Sequence, residues 1–105
     1  MNSLTLSGVV VGLQAIRYTP AGLPLLSFVL QHASEQTEAG LKRKVECEVN
    51  AVVLGKLAGE IAKSNIQVGD SIKAKGFLAK RSAKSTQLVF HIEQIKLEKV
   101  SLKKY

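Results

Sequence analysis

The 105-residue sequence has no tryptophan, only two prolines and a single cysteine, and these shortages narrow what the protein can be. One cysteine, Cys47, excludes an internal disulfide and gives no cysteine-based zinc site. No apolar run approaches the roughly 18–20 residues of a membrane span. The N-terminus MNSLTLSG also lacks the basic and apolar regions of a secretory signal. A cytoplasmic protein is therefore expected.

The sequence also lacks the groupings of residues that catalysis requires. Its two histidines, His32 and His91, lie on different predicted strands without the spacing of a metal site. GKLAG, residues 55–59, lacks the spacer of a phosphate-binding loop. Cys47 falls on the apolar parity of a predicted strand, where it is expected to pack as a small hydrophobic residue. These features predict a protein that is not an enzyme and uses no metal or cofactor.

Positive charge is in excess, and the excess lies in the last third of the chain. The formal net charge is +7. Residues 1–70 carry six basic and six acidic side chains, whereas residues 71–105 carry nine basic and two acidic ones. Such asymmetry indicates a polyanionic partner, most often nucleic acid. A lysine-rich surface that only maintains solubility is the alternative interpretation.

Apolar periodicity predicts one all-β domain over residues 1–98, followed by a basic tail at residues 99–105. A hydrophobic content of 46% argues against disorder. Five segments alternate apolar and polar residues with the period of two that is typical of strands. In chain order they are LTLSGVVVGLQAI, PLLSFVLQHA, LKRKVECEVNAVVLG, SIKAKGFLAKR and QLVFHIEQIKLEKV.

The segments between the predicted strands carry turn, loop and helix signals. TPAG predicts a turn because Pro20 fixes φ at its second position and Gly22 tolerates a positive φ. SEQTEAG, residues 34–40, is predicted to be a polar loop. GKLAGEIAKS predicts a short amphipathic helix, since Leu57 and Ile61 are spaced by four.

This order of elements predicts an oligonucleotide-binding (OB) fold, a five-stranded Greek-key barrel with one short helix between the third and fourth strands. Gly8 and Gly12 in the first strand predict a bulge or sharp bend. The parity switch near Glu93 and Gln94 predicts another bulge in the last strand. Other small barrels, such as SH3-like ones, place their helical turn later in the chain.

The basic loop KRSAKS, residues 80–85, joins the last two predicted strands. Lys80, Arg81 and Lys84 place three cations within five residues, on a loop that arches over the binding groove of OB folds. Such a loop can follow a phosphate backbone and release counterions. Lys73 and Lys75, on the polar parity of the fourth strand, would extend this surface. A solvated hairpin loop is the alternative.

The stretch LKRK, residues 41–44, is a second cationic candidate. Lys42, Arg43 and Lys44 open the third strand, which lies in the groove of OB folds. Glu46 and Glu48 follow directly and dilute this charge. The sequence therefore leaves a binding role and a solvated surface both open here.

The turn RYTPAGLP, residues 17–24, is expected at the rim of the groove. Arg17 and Tyr18 are candidates to contact a phosphate and a base. Other aromatic residues offer little, because Phe28 and Phe90 have core parity and only Phe77 has the opposite one. Binding by charge is thus expected, with modest affinity and strong salt dependence.

Several of these motifs together resemble the bacterial single-stranded DNA-binding protein family. LTLSGVV, RYTPAGLP and VVLGKLAGEIAK resemble its first half, and FVLQHASEQTEAG with HIEQI resembles its short primosomal members. The resemblance covers residues 3–98. General members of the family continue into a disordered linker with an acidic tip, whereas this sequence ends in LKKY, which favours the primosomal members.

The resemblance implies a homodimer of OB folds that acts in replication restart, without catalysis or cofactor. The first strand is expected to have an open edge, and an open edge needs to be paired or covered, as in a homodimer. Implied partners are single-stranded DNA, the primosomal helicase PriA, DnaT and single-stranded DNA-binding protein. Alternatives are a protein-interaction adaptor with weak DNA binding, or a general single-stranded DNA-binding protein. DNA contacts carried over from the family fall on Arg17, Lys42, Lys44, Lys80, Arg81 and Lys84.

Three positions depart from the pattern of this family. Leu54 stands where a tryptophan is frequent, and Leu41 and Glu46 stand where aromatic residues can occur. A carboxylate in place of an aromatic ring removes base stacking and repels phosphate. The departures imply weaker binding of single strands than in the family, and more weight for the contact with the helicase.

Overall fold

The computed structural model describes residues 1–98, which form a closed β-barrel with one short helix. The OB fold predicted from the sequence is confirmed, with a two-residue strand, β2, in addition to the five predicted ones. The basic tail predicted at residues 99–105 lies outside the described residues. The elements are β1 (Leu4–Leu13), β2 (Arg17–Tyr18), β3 (Pro24–Glu38), β4 (Leu41–Leu54), α1 (Lys56–Lys63), β5 (Ser71–Lys80) and β6 (Leu88–Leu97).

The barrel closes because β1 pairs with two different strands. The sheet order is β1-β5-β6-β4-β3-β2, and β1 also pairs with β3. The N-terminal half of β1, from Leu4 to Val9, lies antiparallel to β5, and the half from Val9 to Leu13 lies antiparallel to β3. A register shift between Val10 and Gly12 is the predicted bulge. It bends β1 from one neighbour to the other.

The barrel interior is filled by one parity of each strand, and α1 covers one end of it. Phe28 and Phe90 are buried as their parity predicted. Ala58 and Ile61 of α1 pack into the same cluster. No helix among residues 1–98 has the length and apolar character needed to cross a membrane. The largest fully buried side chains are Phe90, Leu30, Ile72, Val10 and Val53.

The hairpin of β3 and β4 is longer than the sequence indicated, and the prediction of a loop at residues 34–40 is wrong. β3 continues through this segment, and the chain reverses only at Ala39 and Gly40. Their φ angles of 53° and 79° are both positive, as in the two-residue turns whose twist suits a hairpin. Glu35 lies opposite Lys44. This cross-strand pair of opposite charge supports strands that extend beyond the apolar core.

Cys47 is exposed, so the prediction that it packs in the core is wrong. It has the interior parity of β4 and lies opposite His32 of β3. Two residues further along β4, Val49 still packs against the core cluster. At Cys47 the hairpin has already passed the end of the barrel, and parity alone no longer implies burial.

The pairing of β5 with β6 contains the bulge predicted in the last strand. The register shifts between Lys75 and Gly76, which leaves Glu93 without a partner across the ladder. Gly76 lies so close to β6 that an added Cβ would stand 1.8 Å from the carbonyl oxygen of His91. The two strands thus bend around a contact that only a residue without a side chain permits.

Candidate nucleic-acid interface

A groove of about 550 Å³ runs over the outward face of β3, β4 and β6. The ends of β1 and β5 and the short β2 form its walls. It therefore lies between the loop that follows β1 and the loop that joins β5 to β6. This face and these two loops are the ones that OB folds use to bind oligonucleotides.

The floor of this groove is largely apolar. In β3, Leu26, Phe28 and Leu30 point into the barrel, so the intervening Ser27 and Val29 point outward. Val52 lies opposite Ser27 on β4 and contributes to the same floor. Such side chains leave a smooth surface that suits the flat faces of nucleic-acid bases.

Leu54 also lines the groove and is 43% exposed. It is the position at which the resemblance placed a frequent tryptophan. The structure therefore puts this departure within the lining of the groove.

Three cationic side chains line the groove: Arg17, Lys80 and Arg81. Arg17 pairs in register with Leu25, whose side chain points outward. Lys80 ends β5, and Arg81 opens the following loop. None of the described residues that line the groove is acidic. The positive charges are therefore not neutralised within the groove, which favours an anionic ligand.

The loop of residues 81–87 is held by its own hydrogen bonds. The Arg81 backbone N–H donates to the carbonyl oxygen of Gln87 at 2.9 Å, and its guanidinium donates to the Gln87 Oε1 at 3.4 Å. The backbone N–H of Ser85 donates to the carbonyl oxygen of Ser82 at 3.1 Å. Lys84, the third predicted cation of this loop, is exposed and lies outside the groove lining.

The structure separates Tyr18 from Arg17, although the two residues are adjacent. Tyr18 is 68% exposed and is not among the residues that line the groove. Neighbouring residues of a strand point to opposite sides. The predicted turn at Pro20 is present, because the backbone N–H of Gly22 donates to the carbonyl oxygen of Thr19 at 2.8 Å.

The three cations of LKRK are divided between the two faces of the hairpin. Lys42 and Lys44 share the outward face with the groove floor, whereas Arg43 has the opposite parity. Arg43 forms a salt bridge with Glu38 on that face. Exposed pairs of this kind contribute about 0–1 kcal/mol. None of the three cations lines the groove.

The outward face of the hairpin carries no net positive charge. Besides its two lysines it holds three acidic residues. Cationic character in this region is therefore confined to the groove and the loop beside it. The acidic residues are Glu35, Glu46 and Glu48.

Lys73 and Lys75 lie on the outward face of β5, beyond the groove. Lys73 stands directly opposite Lys96 of β6, and Lys75 stands opposite Gln94. Like charges that face each other across a ladder repel and destabilise the pair. The face of β5 and β6 is thus cationic in its own right. All three lysines are exposed and border a separate shallow pocket.

His91 and Phe77 form a stacked pair that the sequence did not reveal. Their ring centroids are 5.0 Å apart and their planes differ by only 3°. His91 also lines the groove. The sequence contained part of the signal. Both residues have outward parity, and the loop of residues 81–87 joins the two strands that carry them. Only the register of β5 with β6 shows that they are opposite each other.

His32, the other histidine, makes hydrogen bonds of a structural kind. Its Nδ1 donates to the carbonyl oxygen of Ser7 at 2.7 Å, and its Nε2 is hydrogen-bonded to the hydroxyl of Ser34 at 2.8 Å. The imidazole thus joins β3 to β1. The described part of the chain brings together no cluster of three metal-ligating side chains.

Comparison with known proteins agrees with this geometry. Residues 2–94 match the model of a family described as "another single-strand binding protein family". A curated relative, replication restart protein PriB of Nitrosomonas europaea, is 38% identical over 91% of this chain and 87% of its own length. PriB of Bordetella pertussis is 42% identical over 90% of this chain and 86% of its own.

Solved structures give the same result. The structure of PriB from Ralstonia solanacearum superposes with a TM-score of 0.81 at 33% identity, covering 94% of this chain and 99% of that one. A single-stranded DNA-binding protein from Thermus aquaticus superposes with a TM-score of 0.75 at 25% identity, covering 94% of this chain and 51% of that one. The chain belongs to the PriB family of replication restart proteins.

Proposed function

We propose that this protein binds single-stranded DNA as a non-catalytic accessory factor of replication restart in the bacterial cytoplasm. The observation that carries the proposal is the groove itself, in which three cations border a largely apolar floor. Membership of the PriB family supplies the process, and the match to a single-strand binding family supplies the ligand class.

In this proposal the charged side chains hold the DNA backbone and the floor accommodates the bases. Arg17, Lys80 and Arg81 contact phosphates within the groove, and Lys84 contacts one beside it. Each neutralised phosphate releases counterions. Each contact therefore makes the slope of log affinity against log salt concentration more negative by about 0.7 for single strands. Three or four such contacts give a slope of about −2 to −3.

Raising salt is therefore expected to weaken binding strongly. Between about 50 and 200 mM salt, the affinity for a fluorescein-labelled oligo-dT is expected to fall about 20- to 50-fold, as the counterion slope dictates. Fluorescence anisotropy titrations measure this directly. The duplex of the same length is the control, and it is expected to bind more weakly than the single strand. An affinity that salt leaves unchanged would contradict binding by charge, and no binding in either salt would contradict the function.

We further propose that the protein contacts the primosomal helicase PriA and increases its unwinding of stalled forks, with DnaT joining afterwards. The support comes from relatives named for replication restart. A second candidate function is an adaptor that holds the helicase while gripping DNA weakly. It is favoured by the position of Leu54 within the groove and by the lack of net positive charge on the outward face of the hairpin.

The homodimer is proposed on the basis of an unpaired edge of β1. Among residues 1–98, no strand pairs with the second edge of β1 between Leu4 and Gly8. Ser7 directs its carbonyl toward this edge, where it accepts from His32. Alternate residues of a strand share their hydrogen-bonding edge, so Thr5 directs its N–H there as well. A second copy that adds its own β1 would give the Thr5 N–H a partner and cover the edge.

Replacing Thr5 by proline is expected to shift the dimer toward monomers. Proline removes the N–H at the open edge, and proline is tolerated in strands where that group faces outward. A two-fold interface loses the bond twice, so the dimer is expected to weaken by about 2 kcal/mol. Sedimentation velocity across a dilution series measures this change. The control is Thr5→Val, which keeps the N–H, and a wild-type protein that sediments as a monomer would contradict the dimer.

A further inference from the structure

The stacked pair of Phe77 and His91 is an aromatic feature at the edge of the groove. Both side chains are half-buried and point outward from β5 and β6. Parallel rings with centroids 5.0 Å apart are offset. Each ring therefore keeps part of its face uncovered by the other.

The imidazole presents its free side to the groove. β5, which carries Phe77, and β4 lie on opposite sides of β6. Val52 of β4 is in register with His91, and both residues line the groove. Phe77 thus supports the imidazole from behind, while the opposite side of the ring meets whatever occupies the groove.

We propose that one base of the bound strand stacks on the pair of Phe77 and His91, and this inference rests on the proposed binding of single-stranded DNA. Every base has a flat aromatic face, so an aromatic side chain binds bases without regard to sequence. The pair places an aromatic stacking surface at the groove, whose lining does not include the exposed Tyr18.

The charges around the pair fit a strand that passes over it. On one side lie the groove cations Lys80 and Arg81. On the other side the outward face of β5 and β6 continues with Lys75, Lys73 and Lys96. A base stacked on the pair would have cations for the phosphates on both of its sides, and each phosphate held by these lysines adds about 0.7 to the salt slope set by the groove cations. The repulsion between the facing lysines Lys73 and Lys96 is relieved by a phosphate between them.

The competing explanation is that the pair only stabilises the ladder. Cross-strand aromatic pairs contribute to sheet stability whether or not a ligand binds. The two explanations differ in what a conservative substitution does. A structural pair affects the melting temperature, whereas a stacking platform affects affinity without altering the salt dependence.

The test uses Phe77→Leu and His91→Leu, which each leave an apolar side chain in place of the aromatic ring. At pH 8 and constant salt, each variant is expected to bind oligo-dT at least about fivefold more weakly, as loss of one base stack requires. The slope of affinity against salt is expected to stay within error of the wild type. Val68→Ala, an exposed apolar site in the loop before β5, is the matched control and is expected to bind like the wild type.

A crosslinking experiment on the unmodified protein decides the matter even if a variant fails to fold. Oligo-dT with a single 5-iodouracil is irradiated in the complex, and the crosslinked tryptic peptides are identified by mass spectrometry. A crosslink within residues 76–80 or 85–96, located at Phe77 or His91, is the expected result. Crosslinks confined to other residues, or variants that bind within twofold of the wild type, would overturn the platform while leaving the DNA-binding function intact. A wild-type protein that binds no single strand would overturn both.

Discussion

Replacing Lys80, Arg81 and Lys84 together by alanine is expected to weaken single-strand binding more than tenfold and to reduce its salt slope by about 2. The physical reason is that two of these cations line the groove and the third lies on the same loop. In the proposed binding mode each of them makes one phosphate contact, which corresponds to about 0.7 in slope. Anisotropy titrations with oligo-dT over a range of salt concentrations measure both quantities.

The matched control removes cations that lie elsewhere on the surface. Lys56 and Lys63 are exposed residues of α1, and neither lines the groove. The double variant Lys56→Ala/Lys63→Ala also lowers the net charge, yet it is expected to keep the wild-type slope. If the salt slope fell in both variants in proportion to the charge removed, net charge alone would govern binding. The groove would then have no special role.

The same triple variant separates the two candidate functions. It is mixed with PriA and a forked DNA substrate, and the rate of unwinding is compared with that of the wild-type protein. Loss of stimulation together with DNA binding is expected if the groove delivers single strands to the helicase. Stimulation that survives the loss of DNA binding would establish the adaptor instead.

Gly76→Ala is expected to destabilise the protein by about 3 kcal/mol or more, at or beyond the upper end of the usual cost of overpacking. The added Cβ would stand 1.8 Å from the carbonyl oxygen of His91 and 3.0 Å from the Cα of Ile92. Both are backbone atoms of a paired strand, so neither can move aside without breaking the ladder. For a domain of this size the melting temperature is expected to fall by about 12–24 °C.

Gly59→Ala provides the control for this substitution. Gly59 lies inside α1, and its added Cβ would meet no atom within 4 Å. Alanine is favoured over glycine in a helix by about 0.5–1 kcal/mol, so this variant is expected to be slightly more stable than the wild type. Urea denaturation of both variants measures the free energy of unfolding. A Gly76→Ala protein whose value lies within about 1 kcal/mol of the wild type would contradict the prediction and show that β5 and β6 separate easily.

The barrel was predictable because its strands alternate apolar and polar residues, and the interior face of each strand is a continuous apolar row. The part of β3 beyond residue 33 was not predictable by the same rule. There both faces meet solvent, so alternation stops although pairing continues through cross-strand charges and the turn at Ala39 and Gly40. The error at Cys47 has the same origin, because its parity is that of the core while its position is beyond the barrel.

For the candidate site, residue type and loop position pointed to Arg17, Lys80 and Arg81, and the structure brings these three to one groove. Parity within LKRK already implied that Arg43 points away from its neighbours, although the sequence grouped the three cations together. The pair of Phe77 and His91 required more than sequence. Which residues face each other across β5 and β6 depends on the register, and the bulge at Glu93 shifts that register by one residue.

The long hairpin gives the molecule two regions of different cooperativity. The barrel shares one apolar cluster, so its strands open only together. The hairpin beyond it is held by backbone pairing, exposed charges and a two-residue turn, none of which depends on that cluster. Segments of this kind open locally at a much lower free energy than global unfolding. The end of the hairpin is therefore able to rearrange around a partner while the groove at its base keeps its shape.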